Sequence, residues 1–150
     1  MSSSQHCYGL AQDSEDRLWF VETLLTKKGQ SRAGLITWLM CYDINKGELE
    51  MKVKLEEITG IHCGSKVRFM SYFKEKLYIT DLGLDKVYIW DIRDETMEVV
   101  EDPGRAIEPS SWSGTAVDDL GNIMVADYKN DRLCVYSERG CWVKNFEVSQ

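Results

Sequence analysis

Six side chains in this 150-residue sequence could engage a polyanion or a nucleobase. Arg68, Lys86, Lys129 and Arg132 are cations able to contact phosphate, and Trp112 and Tyr128 are aromatics able to stack on a base. Asp81 precedes Lys86, and Asp127 precedes Arg132, at the same spacing. Local ion pairing is therefore the simpler expectation for Lys86 and Arg132, since surface cations are usually solvated or locally paired. Asp85 and Asp131 stand beside these cations and lower their affinity for phosphate. Lys129 and Arg68 are freer of this pattern. Recurring carboxylates could do acid–base chemistry, but at repeated positions they more simply cap turns. Asp118-Asp119 with Gly121-Asn122 lacks the ligand spacing and terminal Glu of a calcium loop and reads as a hairpin turn. The dipeptides His6-Cys7 and His62-Cys63 fit no standard zinc spacing. With only two His, and no serine elbow or Cys–His nucleophile pattern, neither metal, cofactor nor enzymatic activity is expected.

Composition bounds the partners. The chain has 18 Lys+Arg against 25 Asp+Glu, a net charge of −7, and none of its repeat-length segments is basic. Strong non-specific binding to nucleic acid or to an anionic membrane is thus disfavoured, although a local basic patch is not. The five Cys form no CxxC pair, there is no N-x-S/T sequon, and the N-terminal residues lack the charged and apolar regions of a signal peptide. A cytoplasmic location with free thiols is expected. No apolar run approaches the ~18 residues of a membrane helix.

Positioning these side chains falls to an internal repeat. Leu77–Asp81 aligns with Ile123–Asp127, and Lys86–Trp90 with Arg132–Tyr136, at a constant offset of 46. A third copy lies upstream. Gly9–Glu22 follows the pattern of Gly114–Asp127, and Leu39–Asp43 that of Val87–Asp91, with an insertion over 23–37 that reads as an exposed loop. Each copy consists of short runs rich in Val, Ile, Leu, Tyr and Trp, separated by polar turns such as DDLGN (118–122) and SERG (137–140). The third copy predicts strands over 114–118, 123–126, 133–137 and 142–146. Lys52–Ile58 could carry one helical turn, but its alternation favours a strand. The acidic run Asp94–Asp102 reads as an outer strand with a solvated edge, and most of the five Trp as core. Four antiparallel strands per ~45 residues is the arithmetic of a β-propeller blade. The fold class is therefore all-β: a partial propeller of three blades, at about 8–60, 64–106 and 110–150.

The third copy closely resembles an NHL repeat. Gly114, Asp118, Gly121-Asn122, Ala126-Asp127, Asn130, Arg132, the apolar strand Leu133–Tyr136 and Gly140 carry the likeness. The second copy looks like a diverged NHL repeat of the TRIM-NHL class, through Arg68-Phe69, Tyr72, Tyr78-Ile79 and Asp81-Leu82-Gly83. The resemblance covers about 9–146 and implies half of a six-bladed ring. It places Arg68, Lys86, Trp112, Tyr128, Lys129 and Arg132 on the ring face that RNA-binding relatives use.

The expected function is non-enzymatic recognition, with RNA bound through that face in post-transcriptional regulation. A second expectation is a protein-interaction propeller that selects partners or ubiquitin-ligase substrates. A third is a truncated propeller without independent function. Ligase activity itself would need RING or B-box zinc modules, whose dense Cys/His pairs are missing from this sequence. Open blade edges predict self-association.

Overall fold

The computed structural model describes residues 4–26, 34–60, 67–100 and 112–148. Twelve strands form three four-stranded antiparallel sheets, each a simple meander in chain order. The first sheet holds β1 (Ser4–Gln12), β2 (Arg17–Thr26), β3 (Gly34–Asp43) and β4 (Glu48–Lys54). The second holds β5 (Val67–Phe73), β6 (Lys76–Asp81), β7 (Lys86–Asp91) and β8 (Thr96–Val100). The third holds β9 (Trp112–Val117), β10 (Ile123–Asp127), β11 (Arg132–Tyr136) and β12 (Trp142–Glu147). β1 lies beside β5, and β5 beside β9, so the first strands line the inside of an arc of blades. This is the all-β, partial-propeller architecture that the repeat predicts.

Alternation decides which face each strand buries. Trp19, Val21, Leu39 and Cys41 of the first sheet pack on Leu77, Ile79, Tyr88 and Trp90 of the second. The opposite face of the second sheet, with Tyr78, Val87 and Ile89, packs on Ile123, Val125, Cys134 and Tyr136 of the third. Both faces of the middle blade are therefore core, which is why its β6 and β7 read as nearly continuous apolar runs. Burial also pushes the Cys41 thiol up to about 11, so it stays protonated near neutrality.

Side chains close the turns. Asp43 Oδ1 accepts from the Lys46 amide, and Asp91 Oδ1 from the amides of Arg93 and Asp94. Asp118 accepts the amides of Leu120 and Asn122 and the Asn122 side-chain amide, the hairpin role expected for it. Asp13 fills the same place in the first blade, accepting from the amides of Glu15 and Arg17, Arg17 Nε and Trp19 Nε1.

Three local expectations need correction. Residues 23–26 and 34–37 are strand rather than loop, since β2 and β3 pair there from Thr23 opposite Thr37 to Thr26 opposite Gly34; the centre of the expected loop, 27–33, lies outside the described residues. The flanking Thr, Leu and Ile residues favour a strand ladder despite the polar centre. Second, β4 stops at Lys54 and a short helix, α1 (Leu55–Thr59), follows. Leu55 is fully buried beneath it, and Gly60 ends it in the left-handed region at φ 67°. Third, the offset of 46 fails in the innermost strands. Tyr72 pairs with Leu77, whereas Val117 pairs with Ile123. The β5–β6 turn is one residue shorter, with Lys74 and Glu75 both at positive φ, the backbone of a two-residue hairpin that an Asn-Gly pair would normally signal.

The blades meet closely at Gly9, which makes an irregularity in β1 between Tyr8 and Leu10 at φ +61°. A Cβ there would lie 3.1 Å from Met70 Cβ, 3.2 Å from the Arg68 carbonyl oxygen and 3.3 Å from the Met70 nitrogen. Gly60 shares the positive φ but has nothing within 4 Å of such a Cβ. Gly9→Ala is therefore expected to cost about 1–3 kcal/mol, combining backbone strain with overpacking. Urea denaturation of both alanine variants checks it. A Gly9→Ala loss no larger than that of Gly60→Ala would show that the blade contact yields freely.

Candidate functional site

One end of the three sheets carries the start of β5, the start of β9, the β6–β7 turn and the β10–β11 connection. Pairing fixes this grouping, because Val67 lies opposite Asp81 and Trp112 opposite Asp127. The sequence-derived site residues Arg68, Lys86, Trp112, Tyr128, Lys129 and Arg132 all fall at this end.

Two buried carboxylates organise it. Asp81 Oδ1 accepts from the amides of Gly83 and Leu84 at 2.9 and 3.1 Å, and its Oδ2 accepts from the Tyr88 hydroxyl at 2.8 Å. Asp127 Oδ2 accepts from Asn130 Nδ2 at 2.8 Å and from Arg132 Nε at 2.9 Å. Both acids therefore build turns, as their recurrence suggested. Arg132 is ion-paired to Asp127 and only partly exposed. Lys86 stands across the ladder from Asp81, is half-buried and is engaged within the fold.

Trp112 is not an exposed stacking platform. It is 0% exposed, and its ring lies 5.6 Å from that of Tyr136, tilted at 56°. Its amide donates to Asp85 Oδ1 at 2.9 Å. The strand expected to start at 114 begins earlier: Trp112 is the first residue of β9 and turns its ring into the core between the second and third blades.

Tyr128 is the opposite case. It opens a single 3-10 turn, Tyr128–Asn130, and is 79% exposed. Lys129, next to it, is exposed as well. Arg68 is exposed at an irregularity in β5 between Val67 and Phe69, and its guanidinium lies 4.9 Å over the ring centroid of Tyr8. His6 extends this group, with its ring 6.1 Å from that of Tyr8. Sequence reasoning missed Tyr8. Arg68 and Tyr8 belong to different blades, and only the packing of β1 beside β5 brings them together.

The face thus presents two cation–aromatic combinations, Arg68 with Tyr8 and Lys129 with Tyr128. Among the described residues no group of three His, Cys, Asp or Glu side chains converges as a metal set. His62 and Cys63 lie outside the described residues, as do Glu101 and Asp102 of the acidic run. A groove of about 720 Å³ opens at the other end of the second and third sheets, where Lys74, Lys76 and Arg139 alternate with Glu98 and Glu138. Its mixed charge gives no preference for a polyanion. No helix among the described residues is long and apolar enough to cross a membrane.

Comparison with known proteins bears on the fold. No family model and no curated protein matches the sequence. Solved structures do match. A luciferin-regenerating enzyme superposes with a TM-score of 0.67 at 14% identity, over 96% of this chain and 47% of its own. Virginiamycin B lyase from Staphylococcus aureus gives 0.66 at 11% identity, over 99% and 47%. Glutaminyl cyclase from Myxococcus xanthus gives 0.52 at 16% identity, over 95% and 53%. These are propeller-like proteins, and the chain spans about half the length of each. At such identities the likeness establishes the fold alone.

Proposed function

We propose that this chain is a non-enzymatic recognition module of the TRIM-NHL kind that binds single-stranded RNA in post-transcriptional regulation. The observation that carries this reading is the pair of cation–aromatic combinations at one end of the blades, the exposed Arg68 over the half-buried Tyr8 and the exposed Lys129 beside the exposed Tyr128. Single-stranded nucleic acid is held by such elements, with cations following the backbone and aromatic rings stacking bases. Arg132 and Lys86 contribute less, since the fold already engages them. Selectivity on an acidic chain would come from these few contacts rather than from a general electrostatic field.

The test is a salt titration of the purified chain against a randomised short-RNA pool. Tyr128→Ala is expected to weaken binding by about 5- to 100-fold, the range for losing one stacked base. Arg68→Ala and Lys129→Ala are each expected to lower the slope of log K against log salt by about 0.7, one phosphate contact apiece. Absence of binding by a folded sample overturns the reading. The net charge of −7 favours the second reading, a protein-interaction propeller that selects partners or ligase substrates. On that reading the same face would take a protein, and RNA would not compete.

A further inference from the structure

We infer that a cavity between the first and second blades binds a small organic cation that carries one oxygen acceptor. The cavity lies at the end of the sheets opposite the loop face, so this site is separate from the proposed RNA contact.

The cavity measures about 160 Å³ and opens among the start of β2, the middle of β4 and the β7–β8 turn. The buried Trp19 and Trp90 line it, together with the half-buried Met51 and Ile92. Charged side chains complete it: the half-buried Arg17 and the exposed Glu50 and Glu95. An apolar cavity of roughly 150 Å³ takes benzene, so this one has room for a guest of that order.

The first feature that selects the guest is Trp90. It is 4% exposed, and its Nε1–H has no hydrogen-bond acceptor among the described residues. Trp19, across the cavity, differs: its Nε1–H donates to Asp13 Oδ2 at 2.9 Å. A buried donor without an acceptor costs stability, so a guest oxygen placed against Trp90 supplies what the fold leaves out. The second feature is charge. Arg17 is already committed, with Nε 2.7 Å from Asp13 Oδ2 and Nη2 3.4 Å from Glu15 Oε2, and it reaches Glu50 only at 3.8 Å. Lys46 also pairs with Glu50, at 3.3 Å. Arg17 and Lys46 thus stand against Asp13, Glu15, Glu50 and Glu95, which leaves the cavity an excess of negative charge.

The third feature is the aromatic lining. The fold itself lays one cation on an indole here, since the Arg17 guanidinium lies 5.7 Å from the ring centroid of Trp19. Aromatic rings beside carboxylates are the usual receptor for alkylated ammonium groups. The three features converge on a guest with a cationic head for the rings and glutamates and an oxygen for the Trp90 N–H. A free carboxylate or phosphate is repelled by the excess negative charge, and a purely apolar guest leaves the N–H unpaired.

Choline is the probe, with two analogues beside it. Tetramethylammonium keeps the charge and lacks the oxygen, and the neutral isostere of choline, with carbon in place of nitrogen, keeps the hydroxyl and lacks the charge. Titration calorimetry of the full chain is expected to give choline a Kd of about 1 mM or tighter, ordinary for so small a molecule. Each analogue is expected to bind about three- to tenfold more weakly. The indole N–H resonance of Trp90 should move with choline. Trp90→Phe keeps a ring and removes the donor, and it is expected to abolish the preference for choline over tetramethylammonium. Glu95→Gln changes an exposed side chain outside the core, so it tests the site in a folded chain even where Trp90→Phe destabilises it. It is expected to reduce the preference for choline over the neutral isostere about threefold. No choline binding at about 10 mM overturns the inference. Equal affinity for choline and tetramethylammonium overturns it as well, because no oxygen is then read, and so does equal affinity for the neutral isostere, because no cation is.

Discussion

Trp112→Ala is expected to cost about 3–5 kcal/mol of folding stability, among the largest losses a single substitution in this chain can cause. The indole is fully enclosed between the second and third blades, against Tyr136 and beside Val125 and Ile123. Deleting it removes a large buried apolar surface and leaves a cavity bordered by strands on both sides, which can relax only partially. Urea unfolding followed by circular dichroism measures the effect. Tyr128→Ala is the matched control, because Tyr128 lies at the same end of the sheets but stands in solvent. Its stability should change by no more than about 0.5 kcal/mol. The contrast separates the two aromatics that the sequence could not tell apart. Any RNA-binding loss in Trp112→Ala should track unfolding, whereas that in Tyr128→Ala should appear in a folded protein. A Trp112→Ala variant as stable as the unsubstituted chain would contradict the placement of this ring in the core.

Asp13→Ala is expected to cost about 2–4 kcal/mol, for a different reason. The Asp13 carboxylate is enclosed and accepts four hydrogen bonds, from two turn amides, Arg17 Nε at 2.7 Å and Trp19 Nε1 at 2.9 Å. Removing it unties the β1–β2 turn, leaves the buried indole N–H of Trp19 without its acceptor and strips Arg17 of its closest counter-charge. Burial by itself would raise the Asp13 pKa, but the donors from Trp19, Arg17 and Glu15 outweigh it and hold the carboxyl below its ordinary 3.8. The sign of the pH dependence follows. A carboxyl lowered on folding stabilises the fold above its unfolded pKa, and that contribution fades as pH falls through the folded value. The stability gap between the unsubstituted chain and Asp13→Ala should therefore be widest near neutrality and narrow on acidification from about pH 5. A gap constant across that range would show that Asp13 acts through shape alone. Asp118 occupies the corresponding turn without an arginine or indole donor and is half-buried where Asp13 is buried, so Asp118→Ala should lose less.

Both predictions separate what sequence shows from what it hides. The three-fold repeat, the four strands of each unit and the turn acids were legible because they arise from local chemistry. A strand with one buried face must alternate, and a tight turn must supply acceptors for its own amides. Such constraints act within about ten residues and recur in each blade, so the copies reinforce one another. The third blade shows this best. Its strands, expected at 114–118, 123–126, 133–137 and 142–146, form within about two residues at each end.

Other features depended on neighbours distant in the chain. Whether an aromatic beside a strand end turns inward, as Trp112 does, or outward, as Tyr128 does, depends on whether another blade waits behind it. Arg68 meets Tyr8 only because β1 packs beside β5. The slip of one residue between β5 and β9 arises in a turn whose Lys and Glu give no hint of positive φ. Helix α1 forms where alternation suggested a strand, because Leu55 finds a buried site against the core. The sequence alone determined an all-β repeat of blades, since periodicity and turn chemistry are written residue by residue. The tertiary structure alone decided which cations and rings reach solvent together, since exposure belongs to the packing between blades rather than to any one segment.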